Sequence, residues 1–121
     1  MREKKERQEK TLLLRERTQV TRLPHREITA IASSNAVLLV HTKNGGVHRL
    51  YRKLDELEAE LCGCGFLRCH QSFLVNLAHI AAAEQYEFVL SGGMRIPIRR
   101  QDAKKLRDAY FKYLLGKTKS N

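Results

Sequence analysis

Phe66-Leu67-Arg68-Cys69-His70-Gln71-Ser72-Phe73-Leu74-Val75-Asn76-Leu77-Ala78-His79-Ile80 is the stretch from which the architecture can be read outward. A strand-like run, Phe66 to Cys69, meets a short polar knot, His70-Gln71-Ser72. A second apolar run, Phe73-Leu74-Val75, then closes on Asn76. Apolar segments this dense belong in a core, because burying one large aliphatic or aromatic side chain contributes about 1.5–3 kcal/mol. The knot between them is therefore held on rigid supports. In a chain with a net charge of +10, a rigidly held polar loop is suited to reading nucleic acid. Asn76 reads as structural, since a short amide after an apolar run commonly bonds the local backbone.

A second block lies downstream, where Arg95-Ile96-Pro97-Ile98-Arg99-Arg100 precedes a segment of helical periodicity. Arg99 and Arg100 stand where that helix begins, at the positive end of its dipole. A cation there costs a few tenths to about 1 kcal/mol, and only Asp102 offsets it. A segment that breaks a local rule without visible compensation is a candidate functional site. The arginine fork can grip guanine O6 and N7 in the major groove or clamp a phosphate.

In order and spacing the two blocks resemble the LytTR DNA-binding domain. In that family a strand leads into a His-x-Ser-aromatic-apolar-apolar-Asn turn followed by isoleucine, and an arginine-bearing block precedes the last helix. The resemblance runs from about Thr11 to Leu115. It implies a mainly β fold, an elongated stack of small antiparallel sheets with a short central helix and a C-terminal amphipathic helix. It further implies that loops, not a helix, enter the DNA. Base reading falls by resemblance to Arg100, with Gln71 and Asn35 on the two other loops. Three positions depart from the family. Gln71 stands where Arg, Lys or Asn is usual, Gln101 follows Arg99-Arg100 where the pattern runs Ser-Arg-Arg, and Ala32 ends a strand that often closes on an acid.

Composition sets the bounds. The chain has 121 residues, enough for one domain with a modest core. Its longest apolar run, Ala36 to Val40, is far below the ~18 residues of a membrane span, and the charged N-terminus has no signal-peptide core. Three cysteines make no disulfide framework, so a cytoplasmic protein with reduced thiols is expected. Between Arg95 and Asn121 nine Lys/Arg face only Asp102 and Asp108, placing +7 of the +10 in one block. Such a block favours polyanions.

The chain divides into a charged flexible arm (1–10), one domain (11–116) and a basic tail (117–121). Leu12, Leu14, Glu16, Thr18 and Val20 alternate with polar neighbours, which predicts a half-exposed strand. Glu27 to Ile31 predicts a second, Ser33-Ser34-Asn35 a turn, and Val37 to Thr42 and Val47 to Tyr51 a hairpin around Lys43-Asn44-Gly45-Gly46. Leu54, Leu57 and Leu61 share a helical face, with Gly63 just past its end. Glu84 to Leu90 and Met94 to Ile98 predict a second hairpin. Ala103, Leu106, Tyr110, Tyr113 and Leu114 then recur at helical spacing.

The site expected from these readings comprises Asn35, Gln71 and Arg100 as base readers. Ser34, His70, Ser72, Arg99 and Lys104 are expected to hold phosphates. Cys62-Gly63-Cys64 is one residue too tight for a zinc pair, so no metal or other cofactor is expected, and neither is catalysis: no nucleophile elbow or phosphate loop is present. Oxidation of Cys69, beside the knot, would be one route to disturbing DNA binding. The partner expected is double-stranded DNA, with no small-molecule substrate. The resemblance adds a second copy on an adjacent direct repeat and a regulatory partner protein. A receiver domain usually precedes these domains and has no room here, so the chain is expected to be either a free-standing regulator or a fragment. Two rivals stay open. One is a basic RNA-binding module, although the aromatic strand motif of such modules is missing and Tyr86, Phe88, Tyr110, Phe111 and Tyr113 look like core or helix residues. The other is a protein-binding adaptor that has lost DNA reading.

Overall fold

The computed structural model describes residues 9–119, with side chains through 117. Residues 1–8 of the expected arm and 120–121 of the expected tail lie outside the described residues.

Ten strands form three antiparallel sheets among the described residues. The central one has five strands in the order β5(Val47–Leu50), β4(Val37–Thr42), β3(Ile28–Ser34), β7(Phe73–Asn76), β6(Phe66–His70). Its two faces carry separate cores. One face packs against the hairpin β1(Thr11–Arg15)–β2(Val20–Pro24) and helix α1(Leu54–Leu61), burying Leu12, Leu14, Ile31, Leu57, Leu61 and Leu74. The other packs against the sheet β8(Ile80–Ala83)–β9(Glu87–Leu90)–β10(Arg95–Pro97) and helix α2(Ala103–Lys119), burying Cys69, Val75, Phe88, Ile96 and Leu106. Adjacent residues of one strand thus serve opposite cores: Leu74 faces one and Val75 the other. Register shifts between Ile28 and Ala30 in β3 and between Arg68 and His70 in β6 re-phase the alternation.

The expected mainly β stack with two helices is the observed architecture, and the signature forms β6, a tight turn and β7. Several boundaries differ. The strand expected over Leu12 to Val20 is a hairpin that turns at Glu16–Gln19, where the Glu16 N–H donates to the Gln19 carbonyl at 2.8 Å. Arg15 to Gln19 offers nothing to bury, so the chain reverses there. Glu9 and Lys10 are tied in and are not arm: Glu9 pairs with Arg26, and the Lys10 carbonyl accepts from the His25 N–H at 2.9 Å. Ser33 and Ser34 continue β3, leaving Asn35-Ala36 as the turn. The strand expected from Glu84 begins at Glu87, and β8 precedes it. Residues 117–119, expected as tail, complete the last helical turn.

Candidate nucleic-acid interface

The turns β3–β4 and β6–β7 lie at the same end of the central sheet, because β3 and β7 are antiparallel neighbours. The main chain ties them together: the Ser33 N–H donates to the Ser72 carbonyl at 2.8 Å. The lead into α2 joins from the other side, where the Arg99 N–H donates to the Cys69 carbonyl at 2.8 Å. Gln71 is exposed at the middle of this arrangement and borders two adjoining clefts. One runs to Ser33 and Asn35, the other to Arg99, Arg100 and Gln101. Asn35, Gln71 and Arg100, far apart in sequence, therefore project from one continuous exposed surface.

Each of the three expected readers has its own support. Asn35 takes φ +58, the left-handed conformation that an L residue adopts at a cost of roughly 1–2 kcal/mol and that a short amide tolerates best. Arg100 lies with its guanidinium carbon 4.1 Å from the centroid of the Tyr86 ring, a cation–π contact that aims it without using its donors. The knot is held from beneath by Arg68. Its Nε donates to the His70 carbonyl at 2.9 Å and its guanidinium to the Gln71 carbonyl at 2.6 Å. The same group pairs with Asp55 at 2.9 Å and Glu58 at 2.7 Å on α1. With its side chain only 16 % exposed, Arg68 is a bracket between helix and loop.

Among the expected phosphate groups, Ser34 and Lys104 are exposed and Ser72 is half-buried. Lys104 rests on Asp108 at 3.1 Å, an exposed i,i+4 pair worth a few tenths of a kcal/mol, which a phosphate can displace. Arg99 occupies the cap position before the 3-10 turn Arg100–Asp102, with no side-chain cap hydrogen bond, and lies 3.7 Å from Asp102. The Ser72 N–H donates to Nδ1 of His70 at 3.1 Å, so that nitrogen is the acceptor. In the neutral ring the proton is then on Nε2, which can donate to a phosphate oxygen.

The LytTr DNA-binding domain family matches residues 18–110 of this sequence, a span holding all three loops and both helix starts. The chain belongs to the LytTR family. A solved LytTr DNA-binding domain from Bacillus cereus superposes with a TM-score of 0.66 at 25 % identity, covering 88 % of this chain and 96 % of that one. The transcriptional regulatory proteins BtsR of Escherichia coli (strain K12) and Salmonella typhi are 40 % identical over 48 residues, covering 36 % of this chain. The chain spans about a fifth of the length of those curated relatives, 20 % in each case.

Within this LytTR domain Asn76 has the structural role expected of it. Buried, its amide donates to the carbonyls of His25 at 3.1 Å and Ile28 at 2.8 Å, and its oxygen accepts from the Ala78 N–H at 3.0 Å. The idea of Cys69 as an oxidation point does not suit its surroundings. The thiol is fully buried, and burial pushes its pKa up to about 12, so the reactive thiolate is scarce. Tyr86, read as core, is half-buried and serves as the seat of Arg100. Arg68 was missed as a site residue. Its signal was a single cation inside the otherwise apolar run Phe66 to Cys69.

Proposed function

We propose that this LytTR domain is the sequence-reading part of a bacterial transcription regulator acting on promoter DNA in the cytoplasm. Asn35, Gln71 and Arg100 would enter the major groove as loops, while Ser34, His70, Ser72, Arg99 and Lys104 hold phosphates. One observation carries this reading: three loops distant in sequence are joined by main-chain hydrogen bonds into one surface, with an amide or guanidinium exposed on each. Those side chains suit base edges, and the +10 charge suits the phosphate backbone. The similarity to BtsR supports transcription as the process served. Two copies on direct repeats spaced by whole helical turns would lie on one face of the duplex, and a partner protein could control access.

Fluorescence anisotropy tests this reading, comparing a duplex selected from random sequence with a scrambled duplex and an RNA of the same length, across several salt concentrations. A preference of about 10³-fold or more for the selected duplex, with a steep salt slope, is the expected result. Equal affinity for all three would favour a basic nucleic-acid module, and no binding an adaptor.

A further inference from the structure

We propose that the linker between β5 and α1, Tyr51-Arg52-Lys53, is a fourth DNA-contacting segment, in which Lys53 and the Tyr51 hydroxyl hold a phosphate flanking the bases read by Asn35. The proposal rests on the reading of Asn35 and Gln71 as groove-facing residues and extends their surface to a part of the chain to which no role has been given. The linker lines the same cleft that Asn35 and Gln71 border. The major groove of B-DNA is about 12 Å wide and walled by phosphates. A loop inserted there brings the neighbouring protein wall against the sugar-phosphate backbone.

The side chains on that wall fit such a partner. Tyr51 is 71 % exposed, the most open of the large apolar side chains among the described residues. Its ring contributes nothing to either core, while its hydroxyl can donate to a phosphate oxygen. Three cations line the cleft, and two are already engaged. Arg52 pairs with Glu56 at 3.4 Å and Glu60 at 2.9 Å, and Arg68 pairs with Asp55 and Glu58. Lys53 is exposed and has no ion-pair partner among the described residues. The carboxylate in the cleft, Asp55, is matched by Arg68, so its repulsion of a phosphate is offset. Lys53 also stands at the cap position of α1 without a side-chain cap bond, where a hydroxyl or carboxylate would stabilise the helix better. Its charge sits at the positive end of the helix dipole, where a cation is unfavourable.

The test measures binding of the full chain to the selected duplex against salt for wild type, Lys53→Gln, Lys53→Arg, Tyr51→Phe, Arg52→Gln and Arg100→Ala, with circular dichroism confirming that each is folded. Lys53→Gln should weaken binding to selected and scrambled duplexes alike, about fivefold at 0.15 M salt, and lower the salt slope by about one. Lys53→Arg should restore both, Arg52→Gln should leave the slope unchanged, and Tyr51→Phe should weaken binding while keeping the slope. If Lys53→Gln keeps the wild-type slope while Arg100→Ala still relaxes sequence preference, the linker proposal is overturned and the loop reading stands. If wild type shows no preference and Arg100→Ala changes nothing, the loop reading falls and takes the linker with it.

Discussion

Arg68 and Arg100 carry the same side chain beside the same loop, and their surroundings give them opposite work. Arg100 is exposed, and its contact with the face of Tyr86 uses none of its donors. Arg100→Ala should cost about 1–3 kcal/mol on the best site and relax base preference there. Lys104→Ala should weaken all duplexes equally and reduce the salt slope by about one. Titrations on the selected duplex and its single-base variants separate these outcomes, and equal effects of both substitutions would remove the assignment of roles. Arg68 has spent its donors on two knot carbonyls and two α1 carboxylates. Lysine keeps the charge but lacks the planar fork that spans these partners. Arg68→Lys should therefore lower stability by about 1–2 kcal/mol in urea unfolding. It should also erode preference at the base facing Gln71 more than it erodes binding to scrambled DNA. Loss of stability with preference intact would make Arg68 a structural residue only.

The turn between β3 and β4 couples two demands on one residue. At φ +58 Asn35 fixes the hairpin, and the same side chain is exposed toward the proposed groove. Glycine meets the first demand alone, because it adopts positive φ without steric cost. Asn35→Gly should stay within about 0.5 kcal/mol of wild-type stability yet lose preference at its base, whereas Asn35→Ala should lose about 1 kcal/mol as well. Thermal melts beside binding titrations would show the separation, and full retention of preference in Asn35→Gly would remove Asn35 from the readers. Such turns were legible in the sequence because their chemistry is local. Asn35, the Lys43–Gly46 turn and the Leu54/Leu57/Leu61 face all declare themselves within a few residues. The β1–β2 hairpin was not legible, because its turn holds no Gly, Pro, Asn or Asp and Val20 falls in phase with Leu12 and Leu14, so the two strands read as one. Strand β8 was missed for a related reason. Ile80-Ala81-Ala82-Ala83 has weak strand preference of its own and is a strand through its pairing with β9. The candidate loops were readable as motifs, but Arg68, Tyr86 and the β5–α1 linker owe their places to contacts with segments distant in sequence.

At the scale of the whole molecule, the surface proposed to read DNA lies at one end of the central sheet, and part of the molecule's acid sensitivity lies away from it. His41 is near the opposite end of β4 from Val37, close to the turn into β5. Burial lowers its pKa below the ordinary 6.5. His25, between β2 and β3 with its ring edge-on to Phe66 at 5.6 Å, is lowered likewise, first by burial and then by Lys10. The unfolded chain binds these protons near pH 6.5, whereas the folded chain resists them. Stability therefore falls as pH drops through 6.5 toward the folded values and levels off below them. Urea midpoints should be lower at pH 5.5 than at 7.5, and the gap should narrow in His41→Gln and in His25→Gln. A gap unchanged in both variants would place the sensitivity elsewhere. Because His41 is distant from Asn35, Gln71 and Arg100, the acid-weakened protein should still discriminate bases while it remains folded. At pH 6 the ratio of selected to scrambled affinity should match that at pH 7.5 even though the urea midpoint has dropped. A ratio that fell in step with the midpoint would mean that the reading end and the histidine-bearing turns open as a single unit, so that the stack, rather than its end, sets the specificity.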